Sequence, residues 1–130
     1  VPGEPAPVLA QERPTQALAD FKPDTCVHTA WITTPGVYLE SPDNYAFRDS
    51  SLEFIQRSIQ AGVRRVVALG TCIEYQIGRQ PLSEATTPLA PATTYARCKN
   101  DLRLQLEQLA TAHNLSLCWA RVFYPYGPRE

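Results

Sequence analysis

Ala61-Gly62-Val63-Arg64-Arg65-Val66-Val67-Ala68-Leu69-Gly70-Thr71 is the stretch that decides the fold. The apolar run Val66 to Leu69 is too short for a helix and lacks a polar alternate face. It predicts a strand buried on both faces, the pattern of a parallel sheet. Gly62, just upstream, is suited to the left-handed position that closes a helix. The preceding residues predict that helix. Ser41 or Asp43 caps it, it runs to about Ala61, and Phe47, Leu52, Phe54, Ile55 and Ile59 form one broad apolar face.

Working outward, Thr25 to Trp31 reads as another short strand buried on both faces, and residues 32–42 as a loop. Beyond Thr71, residues 76–91 form a polar, proline-containing loop. A long helix follows over about Thr93 to His113, with Leu102, Leu106 and Leu109 on its core side. Asn114 ends it, and Leu115 to Phe123 reads as a third strand. Upstream, the prolines of residues 1–14 predict an irregular lead-in, and Thr15 to Phe21 a short helix capped by Thr15. The order strand, helix, strand, helix, strand predicts a βαβαβ unit with a parallel sheet. The fold class is therefore α/β, half of a doubly wound Rossmann-like sheet. Ligands of such sheets bind beyond the carboxyl ends of the strands, here His28–Trp31, Gly70–Cys72 and Phe123–Gly127.

Bulk properties narrow the function. A net charge of −1 with no basic stripe argues against nucleic acid and anionic membrane. No apolar run approaches the roughly 18–20 residues that span a bilayer, and no secretory signal pattern opens the chain. Cys26, Cys72, Cys98 and Cys118 are widely spaced and read as reduced core thiols of a cytoplasmic protein. The only histidines are His28 and His113, so no metal site is expected. The chain has no methionine and ends at Pro128-Arg129-Glu130, which suggests a piece of a longer reading frame.

Chemistry concentrates at Tyr95-Ala96-Arg97-Cys98-Lys99. Four-residue spacing puts the phenol and the amine on one helix face. A nearby ammonium favours phenolate, so the Tyr95 pKa is expected to fall below its usual value. Such a phenol exchanges a proton with a carbinol oxygen, and Thr71, at a strand end, is placed to hold the same oxygen.

Four passages resemble the extended short-chain dehydrogenase/reductases, the NAD-dependent sugar epimerase/dehydratase group. Val27-His28-Thr29-Ala30-Trp31 is similar to its hydrophobic-His-x-Ala-Ala strand end. Leu69-Gly70-Thr71-Cys72-Ile73-Glu74-Tyr75 is similar to S-S/T-x-x-V-Y-G. Pro91 to Lys99 is similar to P-x-S-x-Y-x-x-x-K, and Arg121 to Pro128 to R-x-x-N-x-Y-G-P. Glu84, Pro88 and Pro91 fit the group's approach to the tyrosine.

The resemblance implies Thr71, Tyr95 and Lys99 as catalytic residues, with Tyr95 as general acid/base. It implies Thr29, Ala30, Trp31, Lys99 and Phe123 along the cofactor, NAD or NADP. It implies Thr71, Cys72, Tyr95 and Tyr124 against a nucleoside-diphosphate sugar. Departures from the pattern refine this. Dehydratases of the group carry Asp-Glu after the catalytic threonine, whereas this chain has Cys72 and Ile73, and Glu74 comes one residue too late. An epimerase or 4-ketoreductase is therefore favoured over a 4,6-dehydratase. Cys72 reads either as an acid/base or as a packing thiol. Trp31, in place of the second alanine, either narrows the pocket, stacks on a ring or simply packs. Asn44 is either a brace for the site or a plain helix-start residue.

The same reading predicts that residues 15–130 are the C-terminal half of the dinucleotide domain. The glycine-rich phosphate loop would precede the chain, most of the substrate domain would follow it, and β-edge exposure would limit solubility. The whole protein would pair as a homodimer through the long helices. Two other classes remain: a non-catalytic dinucleotide-binding or sensor module on the same fold, and an inactive truncated fragment.

Overall fold

The computed structural model describes residues 13–128. Helix α1 spans Arg13–Phe21, so the chain is already helical at Arg13 and Pro14, inside the stretch expected to be irregular. Residues 1–12 of that stretch lie outside the described residues. Pro14 is tolerated because the first turn of a helix has no acceptor for the N–H it lacks.

Strand β1 (Thr25–His28), helix α2 (Asp43–Gln60), strand β2 (Arg65–Thr71), helix α3 (Thr94–His113) and strand β3 (Ser116–Val122) follow, with one 3-10 turn, Cys72–Glu74, directly after β2. The three strands form one sheet in the order β1-β2-β3. Both pairings are parallel, with Cys26 opposite Val66 and Leu117 opposite Val66 on its other side. This is the βαβαβ unit that the alternation of segments predicts.

Local chemistry sets the helix limits. Ser41 Oγ accepts the Asp43 amide at 3.2 Å, which makes Ser41 the side chain that anchors the start of α2. Gly62 at φ 117° closes that helix, a conformation in which any side chain would be strained. Thr93 Oγ1 accepts the Ala96 amide at 3.1 Å and starts α3; Asn114, left-handed at φ 50°, stops it.

The two long helices pack on each other and on one face of the sheet. Ile55, Ile59, Val63, Val66, Ala68, Cys98, Leu102, Leu106, Leu115 and Trp31 make the core. The opposite face carries Val27, which is 63% exposed, and the exposed thiol of Cys118. Several expectations are corrected here. β1 ends at His28 rather than Trp31, β1 and β2 are fully covered on one face only, and Cys118 is a surface thiol rather than a core one. The cause is shared: a three-stranded sheet with both helices on one side leaves its alternate residues uncovered among the described residues.

Candidate active site

β2 ends on Thr71, and the chain turns at once through Cys72–Glu74. A reciprocal cap builds this corner. Thr71 Oγ1 accepts from the Ile73 amide, and the Glu74 carboxylate accepts the Thr71 amide at 2.8 Å. Glu74 is fully buried, and it also accepts from Trp119 Nε1 at 3.1 Å and Arg121 Nε at 2.7 Å. Gly70 is obligatory here: a Cβ would lie 2.2 Å from Trp119 Nε1 and 2.7 Å from Glu74 Oε1. The Glu74 carboxylate thus fixes the Thr71 backbone, while the Thr71 hydroxyl is held by the Ile73 amide.

The first turn of α3 brings Tyr95 to the same place. The Tyr95 amide donates to the Leu39 carbonyl at 2.9 Å, and Glu40 Oε2 accepts from Thr94 Oγ1 at 2.8 Å, which ties α3 to the loop after β1. Tyr38 meets the Tyr95 ring edge-on, with centroids 5.0 Å apart. Burial pushes the Tyr95 phenol above its usual pKa; the neighbouring Thr71 hydroxyl lowers it in part, while Tyr38, Glu74 and Cys72 add to the rise. This overturns the expected fall.

The reason is where the ammonium goes. Lys99 Nζ donates to the Leu69 carbonyl at 2.8 Å and lies 4.0 Å above the centre of the Trp31 ring, whereas the Tyr95 ring centre is 5.9 Å away. Lys99 is only 3% exposed. Burial lowers its pKa to about 8, against an upward pull from Glu74.

Trp31 is itself held. Its Nε1 donates to Asn44 Oδ1 at 2.7 Å, and Asn44 Nδ2 donates to the carbonyls of Tyr38 and Ser41. Asn44 is fully buried, so it braces the site rather than merely starting α2.

A cleft of about 640 Å³ opens over this corner, walled by Tyr38, Thr71, Cys72, Tyr75, Tyr95, Phe123 and Tyr124. Four of the residues expected at the substrate, Thr71, Cys72, Tyr95 and Tyr124, therefore share one cavity, with Phe123 beside them. Tyr124 stands 84% exposed at its mouth. Thr29, Ala30, Trp31 and Lys99 are not on its wall: the first two are exposed beyond β1, and the last two are buried against each other. His28, also buried, is held neutral: burial first, then the Lys99 charge, lowers its pKa to about 4. Tyr38 is the residue that the motifs do not reveal, and they present Glu74 only as a misplaced dehydratase carboxylate. The Thr-x-x-Glu spacing of Thr71 and Glu74 is a capping-box signal that points to its bracing role. Tyr38 sits in a loop with no periodic signal.

The family model of the NAD dependent epimerase/dehydratase family matches residues 6–130. The chain belongs to this family. Among solved structures it is similar to the UDP-glucose 4-epimerase of Thermotoga maritima, solved with UDP-glucose, at 20% identity and a TM-score of 0.79, over 95% of this chain and 41% of that one. The UDP-glucose 4-epimerase of Thermus thermophilus, solved with NAD, matches at 25% identity and a TM-score of 0.76, over 94% of this chain and 40% of that one. A dTDP-glucose 4,6-dehydratase of Streptomyces venezuelae, solved with NAD, matches at 24% identity and a TM-score of 0.67, over 88% and 37%. The chain thus spans about two fifths of the length of these structures, and its three parallel strands and flanking helices form part of their α/β, Rossmann-like fold. No curated protein matches.

The cleft's residues fit the reacting end of a dinucleotide. A hydroxyl and a phenol converge at the carboxyl end of the central strand, and an amine with one protein acceptor stands behind them.

Proposed function

We propose that the whole protein is an NAD- or NADP-dependent epimerase or 4-ketoreductase of nucleoside-diphosphate sugars, and that this chain carries its proton-transfer centre. The observation that supports it is the convergence of Thr71 and Tyr95 on one cleft with Lys99 directly behind. Thr71 holds the carbinol or carbonyl oxygen of the sugar by hydrogen bond. Tyr95, whose pKa burial raises, is a neutral phenol at pH 7, so it is set to donate its proton to a carbonyl oxygen as that oxygen gains charge. Lys99 supplies positive charge next to this step. The dinucleotide, when bound, would supply hydride transfer, and Phe123, on the cleft wall, would be among the residues that hold it.

Dehydration is disfavoured by the corner itself. Glu74, the only carboxylate near Thr71 in the motif, is buried beneath the sheet and engaged by Arg121, Trp119 and the Thr71 amide. Cys72 lies on the cleft wall, which keeps an acid/base role open to it. The protein acts in the cytoplasm, and pairing through α2 and α3 is proposed for the dimer, with Tyr45 and Leu104 among their exposed apolar residues.

The test is the full-length protein with NAD(H) or NADP(H) and a panel of nucleotide sugars. Tyr95→Phe and Lys99→Met are expected to lower kcat by about 10²-fold or more, the scale of a lost general acid. Full activity in both variants would refute the assignment. A 4-keto-6-deoxy product would refute the preference for epimerisation or reduction.

A further inference from the structure

Lys99 and Trp31 come from different segments, yet the indole and the ammonium meet face-on at 4.0 Å. Such a contact is favourable because the ring face carries negative electrostatic potential, and it strengthens when water is excluded. Both residues are buried. The indole cannot slide away freely, because its N–H is bonded to Asn44 and Asn44 is bonded to two loop carbonyls. Phe47 and Tyr95 pack against the same ring, at 6.2 and 6.3 Å between centroids. The ammonium's other fixed partner is the Leu69 carbonyl on β2.

We propose that Trp31, latched by Asn44, is a positioning residue for Lys99: its indole face caps the ammonium and holds it against the Leu69 carbonyl, behind the Thr71–Tyr95 pair. The inference rests on the reading of Lys99 given above. Three titratable groups face this amine. His28 on β1 is neutral near pH 7, Tyr95 on α3 is protonated there, and Glu74 in the turn after β2 is paired with Arg121. The indole therefore does what a neighbouring carboxylate does elsewhere. It compensates a buried cation without adding a proton-binding group, so the amine keeps one orientation while Tyr95 changes protonation. Without the cap, water reaches the amine and the lysine stem gains rotamers.

The chain has two lysines, Lys22 and Lys99, and Lys22 is exposed. Isotope-labelled lysine thus gives two resolved side-chain signals with a built-in reference. In the 130-residue chain, the Lys99 ε-methylene protons are expected upfield of those of Lys22, because they lie over an aromatic face. Lys99 is expected to titrate near pH 8. In Trp31→Ala the upfield displacement disappears and the midpoint moves toward the ordinary lysine value of 10.5. Trp31→Phe, which keeps a ring but loses the Asn44 bond, keeps a reduced displacement.

Coincident Lys22 and Lys99 signals in the unaltered chain would overturn the proposal, as would an unchanged Lys99 midpoint in a folded Trp31→Ala. If Trp31→Ala does not fold, Trp31→Phe decides: a displacement identical to that of the unaltered chain would assign it to the Tyr95 ring instead. None of these readouts uses turnover. Retained activity in Lys99→Met would therefore remove the catalytic reading of Lys99 while leaving the indole–ammonium contact to be judged by its own signals.

Discussion

Glu74 accepts a 2.7 Å bond from Arg121 Nε, joining the corner after β2 to the end of the neighbouring parallel strand β3. The carboxylate is fully buried, and the guanidinium side chain is 14% exposed. An ion pair in this setting gives little net stability when whole, but losing one partner leaves the other charge buried and unpaired.

Glu74→Leu is accordingly expected to lower the unfolding free energy by about 3 kcal/mol, read as a shift in the urea midpoint at unchanged slope. The double variant Glu74→Leu, Arg121→Leu should recover part of that loss. The single variant should also lower kcat in the full-length protein, because the Thr71 amide loses its acceptor. A Glu74→Leu midpoint equal to the original would show that Arg121 finds compensation elsewhere.

Lys99→Met is expected to stabilise the fold while removing activity. Burial depresses the folded-state pKa to about 8 from 10.5. The stability linked to this group is therefore complete above pH 10.5, falls as pH drops through that window to about 8, and stays reduced at neutral pH. Replacing the amine by an apolar side chain of similar length removes a penalty on the order of 3 kcal/mol at pH 7. The loss of the Leu69 bond and the indole contact offsets part of it. Thermal melts at pH 7 and pH 10 test this, with the gap between variant and parent narrowing at the higher pH.

His28 makes the opposite edge of the pH profile acidic. Its folded-state pKa is about 4 against an ordinary 6.5, and its Nε2 has no partner among the described residues. Stability linked to this group is complete above pH 6.5 and is lost as pH falls through 6.5 to about 4, the loss reaching about 2 kcal/mol at pH 5. His28→Leu should flatten that part of the urea-midpoint profile relative to the parent. Parallel profiles for the two proteins would refute it.

Gly70→Ala is expected to cost about 3 kcal/mol or to prevent folding, since the new methyl would stand 2.2 Å from Trp119 Nε1. Gly70→Ala combined with Trp119→Val should fold better than Gly70→Ala alone. If the single variant melts at the parent temperature, Trp119 does not cross to Glu74 as described.

Much of this was legible in the chain. Val66 to Leu69 between Gly62 and Gly70-Thr71 specified the central strand, and the polar interruptions at Gly62 and Asn114 specified where α2 and α3 stop. Four-residue spacing put Tyr95 and Lys99 on one side of α3. The cover over β1 was not legible, because a run such as Thr25 to Trp31 does not say how many layers enclose it, and only one face of β1 is covered.

Local pattern by itself determined the βαβαβ order, the ends of α2 and α3 and the set of candidate groups, because hydrophobic periodicity, capping and left-handed glycine or asparagine act over a few residues. Tertiary structure alone decided the direction of the Tyr95 pKa, the sealing of Lys99 beneath Trp31 and the burial of Glu74 against Trp119 and Arg121. Those depend on dielectric and on contacts between segments up to 68 residues apart, as between Trp31 and Lys99, and charge responds to what surrounds it rather than to what precedes it in the chain.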